Sequence, residues 1–383
     1  MFKNADIKTI SKASDIVEVI MEYSQLHKSR GLYYASCPFC KEKSQSFIVY
    51  PQKQQFHCFS CGRGGNVFSF VMQSLNCSFE KAVEILAIRS ALPVPAQVDE
   101  SVVQEKMRRM YQINELACAF FYQRGRSDER LMKYLKGERK LSDATIKTFQ
   151  LGLSGQYGCE LYRYLRSKGC TNEELLESGL VGYQAEQGEY YDKFWDRVMF
   201  PIFNEQRKIV GFGGRAFGDK KPKYINSVET IIFDKSHELY GLNAAKTKGK
   251  AFILCEGYVD VISMHQAGFA SAVASLGTSL TYSQAKIIRE YTNKVYIAYD
   301  SDEPGVKAAT RAVQILESVG LKAAVISTAP YKDVDELLKT DDNNYSEMKT
   351  RLDNAIDGRA FLIKQLEKSN AKNLYEEIVN VIV

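Results

Sequence analysis

Four of the nine cysteines form two short knuckles, Cys37-x2-Cys40 and Cys58-x2-Cys61, with 17 residues between them. Each C-x2-C step sets two thiolates on one side of a tight turn. The excursion is long enough for a hairpin that gathers both knuckles into a tetrahedral sulfur site. The β-prone runs SFIVY and QFHCF, flanking PQKQ, supply that hairpin. The spacing therefore predicts one structural zinc ion on Cys37, Cys40, Cys58 and Cys61, closed to substrate and required to fold its domain. His57 adjoins Cys58 on a strand, points away from it, and reads as packing. Lys41, Lys43 and Arg63 are the expected counter-charges. Asn66 reads as the N-cap of a following helix. Phe56, Phe59, Phe68 and Phe70 fit the small core of such a domain, with stacking on unpaired bases as the alternative. The remaining cysteines are scattered and the total is odd, which suits a reducing, cytoplasmic compartment rather than a disulfide framework.

A chain of 383 residues calls for more than one core. No apolar run approaches the roughly 20 residues of a membrane span, and the N-terminal stretch has the charged–apolar alternation of an amphipathic helix rather than a leader. ALPVPAQVDES, with two prolines followed by charge, reads as a linker. The boundaries that follow are a zinc-binding domain at 1–92, a linker at 93–105, a basic α+β subdomain at 106–247, a parallel α/β sheet with flanking helices at 248–342, and a helical segment at 343–383. The fold class is thus multi-domain, α+β and α/β. Residues 190–250 carry 12 Lys/Arg against 7 Asp/Glu, and residues 251–340 carry 8 against 10. A basic segment beside an acidic one suits a chain that holds a polyanion next to metal-binding carboxylates.

Those carboxylates follow strand-like runs. FILC is followed by Glu256 and, four residues on, Asp260; VYIAY by Asp300 and Asp302; AVIS, after a short loop, by Asp333 and Asp335. In an open parallel sheet ligands bind outside the carboxyl ends of the strands, so acids far apart in sequence meet there. Oxygen ligands of this kind suit Mg2+ or Mn2+, and two such ions clamp the oxygens of an in-line phosphoryl transfer. None of the four histidines lies in these motifs, and no G-x4-G-K-[ST] loop occurs.

EGYVD (256–260) and DSDEPG (300–305) resemble the Toprim fold of bacterial primases, topoisomerases and some nucleases. CPFC with CFSCGRGGNVFSFVM resembles the zinc domain of DnaG-type primases. LSDATIKTFQLGLS (141–154) and YYDKFWDRVMFPIFNEQRKIVGFGGRAFGDKKPKYINSVETIIFDKSHELYGL (190–242) resemble their RNA polymerase domain. The resemblance implies Glu256, Asp300 and Asp302 as catalytic acids, with Asp260, Asp333 and Asp335 completing a site for two or more Mg2+ or Mn2+ ions. It implies Arg215, Lys223 and Lys235, with Arg197 and Asn226 beside them, as holders of template or nucleotide phosphates; Lys220 and Lys221 read as a solvated turn. The partners implied are single-stranded DNA template, ribonucleoside triphosphates and RNA primer, with no membrane. Two departures stand out. The family usually has histidine where Cys40 stands, and its members usually continue into a helicase-binding domain, for which the residues up to Val383 leave no room. The rival readings are a Toprim nuclease or topoisomerase, and a non-enzymatic zinc-finger/Toprim recombination mediator binding DNA.

Overall fold

The structure is a computed structural model and describes residue 2 and residues 4–40, 46–95, 99–218, 220–245, 251–277, 279–339 and 344–368. The chain divides into two compact units, Met1–Lys106 and Met107–Val383.

The first unit opens with helices α1 (Asn4–Ala13) and α2 (Ile16–Met21). The single helix expected there is broken because the Asp15 carboxylate turns back to accept the N–H groups of Val17 and Glu18, an N-cap that starts a new helix. An antiparallel sheet follows in chain order: β1 (His27–Ser29), β2 (Leu32–Ala35), β3 (Phe47–Tyr50), β4 (Gln55–Cys58) and β5 (Gly64–Gly65). Helices α3 (Val67–Leu75) and α4 (Phe79–Arg89) close the unit. Asn66 caps α3, accepting the Ser69 N–H at 3.0 Å. Phe56, Phe68 and Phe70 are buried, and the rings of Phe47, Phe56 and Phe70 lie within 5.3–6.3 Å of one another. These three are core, whereas Phe59 is 63% exposed.

The second half of the predicted linker is already helical, since α5 runs Glu100–Arg126. The second unit continues with α6 (Glu129–Met132), a π-helical turn (Lys133–Glu138), α7 (Asp143–Thr148), β6 (Gly152–Leu153), α8 (Glu160–Ser167) and α9 (Asn172–Glu177). A hairpin, β7 (Val181–Gln184) and β8 (Glu189–Asp192), precedes β9 (Arg197–Phe203), β10 (Ile209–Ala216) and β11 (Tyr224–Asn226). The last three pair with β6 in the order β11-β10-β9-β6.

After α10 (Leu242–Ala245) come β12 (Phe252–Cys255), α11 (Tyr258–Gln266), β13 (Ala272–Ala274), α12 (Tyr282–Tyr291), β14 (Lys294–Ala298), α13 (Glu303–Ser318), β15 (Lys322–Val325), α14 (Val334–Lys339), α15 (Asn344–Asp353), β16 (Ile356–Asp357) and α16 (Gly358–Lys368). The sheet order is β13-β12-β14-β15-β16. The first four strands are parallel, and β16 adds antiparallel to β15. Helices cover the parallel strands, so β12 is buried throughout and reads as an unbroken apolar run. The tail expected to be all helix therefore contains an edge strand, too short to leave a periodic signal. The apolar stretch NLYEEIVNVIV lies outside the described residues. Phe200 and Val210 of the basic sheet share one core with Ile253 and Tyr258 of the acidic one, which fixes the two sheets against each other.

Candidate active site

The four cysteines converge. Cys37 Sγ lies 3.9 Å from Cys61 Sγ and Cys40 Sγ 3.9 Å from Cys58 Sγ, and all four atoms fall within 4.8 Å of one another. Sulfurs bound to one tetrahedral zinc at about 2.3 Å would be about 3.8 Å apart. The separations thus fit a shared ion and are far too long for disulfides. The second knuckle is closed by Cys58 N–H donating to Arg63 O at 2.7 Å and Gly62 N–H donating to Cys58 O at 2.9 Å. Arg63 sits over the Phe39 ring, and the His57 ring meets Phe59 edge-on outside the sulfur set. Lys41 and Lys43 lie outside the described residues.

In the second unit the chain leaves β12 toward β13 on one side and returns to β14 on the other. The order reverses between β12 and β14, and the crevice opens at their carboxyl ends. Glu256 follows β12 directly, and Asp300 stands two residues beyond β14. The Asp300 N–H donates to Glu256 Oε2 at 3.2 Å, so the two acids meet across the crevice. The glycine of DSDEPG is needed here, because a Cβ on Gly305 would lie 2.2 Å from the Asp300 carbonyl oxygen. Asp302 caps α13, accepting the Gly305 N–H at 2.9 Å.

Glu256, Asp260, Asp300, Asp333 and Asp335 all line one cavity of about 260 Å³, together with Arg139, Lys223, Tyr224, Asn226 and Lys332. Asp302 is not part of this lining. The acids differ in what already occupies them. Asp260 is buried on α11, where Oδ2 accepts Gly257 N–H and Oδ1 accepts Asp335 N–H; burial, then the charges of Asp333, Asp335 and Asp300, hold it well above the usual carboxylate range. Asp335 is buried and ion-paired to Arg139 and Lys339, with Ser263 Oγ donating at 2.7 Å. Among the described residues no three carboxylates bring their oxygens within 4.8 Å, as the four thiols do.

Cations face the acids. Lys223 lines the cavity; burial, then the like charges of Arg215, Lys332 and Arg139, lower its pKa. Arg139 and Arg215 both stack on Tyr134, at 5.2 and 4.7 Å, and the Tyr134 hydroxyl accepts from Arg139 Nε at 2.8 Å. Arg215 Nε is buried with no hydrogen-bond acceptor among the described residues. Asn226 receives the Tyr258 hydroxyl at 2.7 Å and donates to Leu276 O at 2.9 Å. The Tyr258 ring fills the space over Gly213, where a Cβ would approach it to 2.6 Å. Arg197 instead spends its Nη1 on the carbonyls of Gly214, Pro222 and Lys223, and Lys235 is absent from the cavity lining. Arg139 and Lys332, which sequence reasoning missed, are present; only Lys332, beside Asp333, carried a signal in its neighbours.

Asp300 is pushed up to about 6 by burial first, then by the charges of Glu256 and Asp333, against the pull of Lys332, whose Nζ stands 3.9 Å from Oδ2. A carboxylate raised in the folded state destabilises it above that pKa, and the penalty fades as pH falls toward its ordinary value. At pH 7.5 Asp300→Asn is therefore expected to raise the thermal midpoint of the second unit, and to raise it less at pH 5. Millimolar Mg2+ should raise the wild-type midpoint and leave the variant's nearly still. Calorimetry at both pH values checks this; equal wild-type and variant midpoints throughout would remove the repulsion argument.

Three family profiles match in chain order: a CHC2 zinc finger over residues 2–102, the N-terminal domain of the DNA primase catalytic core over 120–246, and a Toprim-like domain over 253–338. The DNA primase of Clostridium acetobutylicum is 37% identical over 388 residues, covering 98% of this chain. The chain spans 64% of the length of that relative and 57% of the DNA primase of Halalkalibacterium halodurans. Among solved structures, the zinc-binding and RNA polymerase domains of Aquifex aeolicus primase align with 32% identity and a TM-score of 0.61, covering 97% of this chain and 89% of that one. A DnaG primase catalytic domain bound to single-stranded DNA aligns with 29% identity and a TM-score of 0.61, covering 70% and 84%. No helix among the described residues is long and apolar enough to cross a membrane.

Proposed function

Because the chain belongs to the DnaG-type DNA primases, we propose that it joins ribonucleoside triphosphates into short RNA primers on a single-stranded DNA template by metal-assisted nucleotidyl transfer. One observation carries the reading. Glu256 and Asp300 meet at the switch point of a parallel sheet, and share one cavity with Lys223, Arg139 and Lys332. Acids and cations gathered around such a gap suit a metal-bound triphosphate.

Glu256, Asp300 and Asp302, with Asp333 beside them, would hold two or more Mg2+ or Mn2+ ions. The mutual repulsion at Asp300 is what a divalent ion would relieve. When bound, such ions would supply charge neutralisation at the α-phosphate and lower the pKa of the attacking 3′-hydroxyl. Asp260 and Asp335 brace the cavity through Gly257, Arg139 and Lys339 and complete its acidic field. Lys223 and Arg139 bind phosphate oxygens, and Arg215, stacked with Arg139 on Tyr134 behind the cavity wall, adds its positive charge to theirs. Arg197 fixes the turn that carries Lys223, and Asn226 holds Tyr258 in the wall. Lys235 would reach phosphates farther along the strand.

The segments 1–92 and 106–342 divide the work. The first, with one structural zinc, presents template through the segment before α5, which begins at Glu100; within the second, 106–247 binds nucleic acid and 248–342 carries the acids, followed by 343–383, which adds the edge strand β16 and helices. The setting is the cytoplasm; members of the family bind the replicative helicase through a further domain, distinct from these segments. The test is incorporation of labelled ribonucleotides on single-stranded DNA with Mg2+, beside a cleavage assay on supercoiled DNA. Primers without cleavage are expected. Cleavage without primers would turn the same acids into those of a nuclease or topoisomerase.

A further inference from the structure

The chain has a single tryptophan, Trp195, whose side chain is 53% exposed although Phe194 before it and Asp196 after it are buried. The site around it is built. Asp196 adopts a positive φ of 52°, its N–H donates to Gly155 O at 2.7 Å, and its carboxylate pairs with both Arg130 and Lys220. That second pair holds the Lys220 ammonium 5.7 Å from the centre of the indole ring. From Lys220 the turn runs through Lys221 and Pro222 to Lys223, and Arg197 ties the carbonyls of Pro222 and Lys223. Lys223 and the partly exposed Tyr224 then line the catalytic cavity. Aromatic and cationic side chains thus alternate from the cavity outward. The Cα atoms of Lys220 and Lys223 can be no more than about 11 Å apart along the chain, a span that a few nucleotides cover.

We propose that Trp195 is a stacking platform for an unpaired base, a few nucleotides from the catalytic cavity, with Lys220 and Lys223 on the flanking phosphates. The occupant is single-stranded nucleic acid rather than a protein partner, because the surrounding segment is rich in Lys and Arg and runs unbroken into the polymerising site. Stacking of this kind is tolerant of sequence, since every base has a π face. The inference rests on the reading of the chain as a template-dependent polymerase, and it adds a contact to which none of the carboxylates lining the catalytic cavity contributes.

The single indole allows a direct test on the whole, unsubstituted chain. Its fluorescence is titrated at fixed salt with oligo(dT) and with an abasic oligonucleotide of equal length and charge. Saturable quenching by oligo(dT), and little by the abasic strand, is expected. Trp195→Ala should weaken oligo(dT) binding about 5- to 100-fold without changing its salt dependence, and Trp195→Tyr should restore most of the loss. Lys220→Ala should instead reduce the salt slope by about 0.7, one phosphate contact. Equal quenching by both strands, or Trp195→Ala binding within twofold of wild type, overturns the assignment. Base-dependent quenching in a protein that makes no primers would sink the enzymatic reading and leave this one standing. Primer synthesis with no quenching would do the reverse.

Discussion

Glu256→Gln and Asp300→Asn each lower ribonucleotide incorporation by about 10²–10³-fold, the usual loss when one charge-stabilising group is removed from a reacting centre, and neither unfolds the chain. In Glu256→Gln the new amide oxygen can still accept the Asp300 N–H, so the crevice keeps its hydrogen bond while losing a negative charge. At Asp300 the change removes a carboxylate already opposed by its neighbours. Asp302→Asn is the third member of the set, and asparagine caps a helix as well as aspartate does, so α13 survives it. Asp335→Asn supplies the contrast. It leaves Arg139 and Lys339 without their buried partner, which costs about 3–5 kcal/mol and shows first as lost stability. The measurements are steady-state incorporation over a range of Mg2+ and Mn2+ concentrations, with thermal midpoints alongside. A Glu256→Gln protein as active as wild type would end the assignment of that acid to the metal site.

The acids could be placed from sequence because β12 is a continuous apolar run and β14 is apolar from Val295 on, so each ends visibly where the next charge stands. What escaped was short or distant. The three residues of β13 and the two of β16 have no period to detect, although both belong to the sheet that builds the crevice. Arg139 leaves a π-helical turn to meet Asp335, 196 residues on, and no spacing rule reaches that far. Residue type also said less than it promised. Arg197, a natural phosphate holder, is consumed by backbone carbonyls, and Asp260, four residues past Glu256, lies buried within α11 with both carboxylate oxygens occupied by backbone N–H groups. Trp195 had no signal in sequence, since only the Asp196 pairing with Lys220 makes its exposure purposeful. The cysteine quartet was the opposite case, because ligand chemistry fixes the spacing before any packing is known.

That quartet sets the second large effect: removing zinc abolishes the folded state of Met1–Lys106 and leaves the sheet of Met107–Val383 folded. Cys37 and Cys58 are buried in the same core as Phe47 and Phe56 while Cys40 and Cys61 are exposed, so an ion on the four sulfurs would tie that core to the knuckles at its surface. Structural zinc contributes about 10–16 kcal/mol at neutral pH, whereas a whole domain is stable by about 5–15 kcal/mol. Without the ion the buried sulfurs hold their protons unevenly. Burial pushes Cys37 up, while at Cys58 burial is outweighed by the N–H groups of Cys61 and Ser60 and the Ser46 hydroxyl, which bring it down. Zinc must displace the protons that remain, so its affinity falls as pH drops and release comes on acidification. Hydrogen exchange resolves the outcome strand by strand. After chelation, or in Cys58→Ser, amides of β3, β4 and α3 should lose protection while those of β12 and β14 keep theirs. Undiminished protection in β3 and β4, in protein shown by metal analysis to hold no zinc, would mean that the apolar core folds the unit unaided.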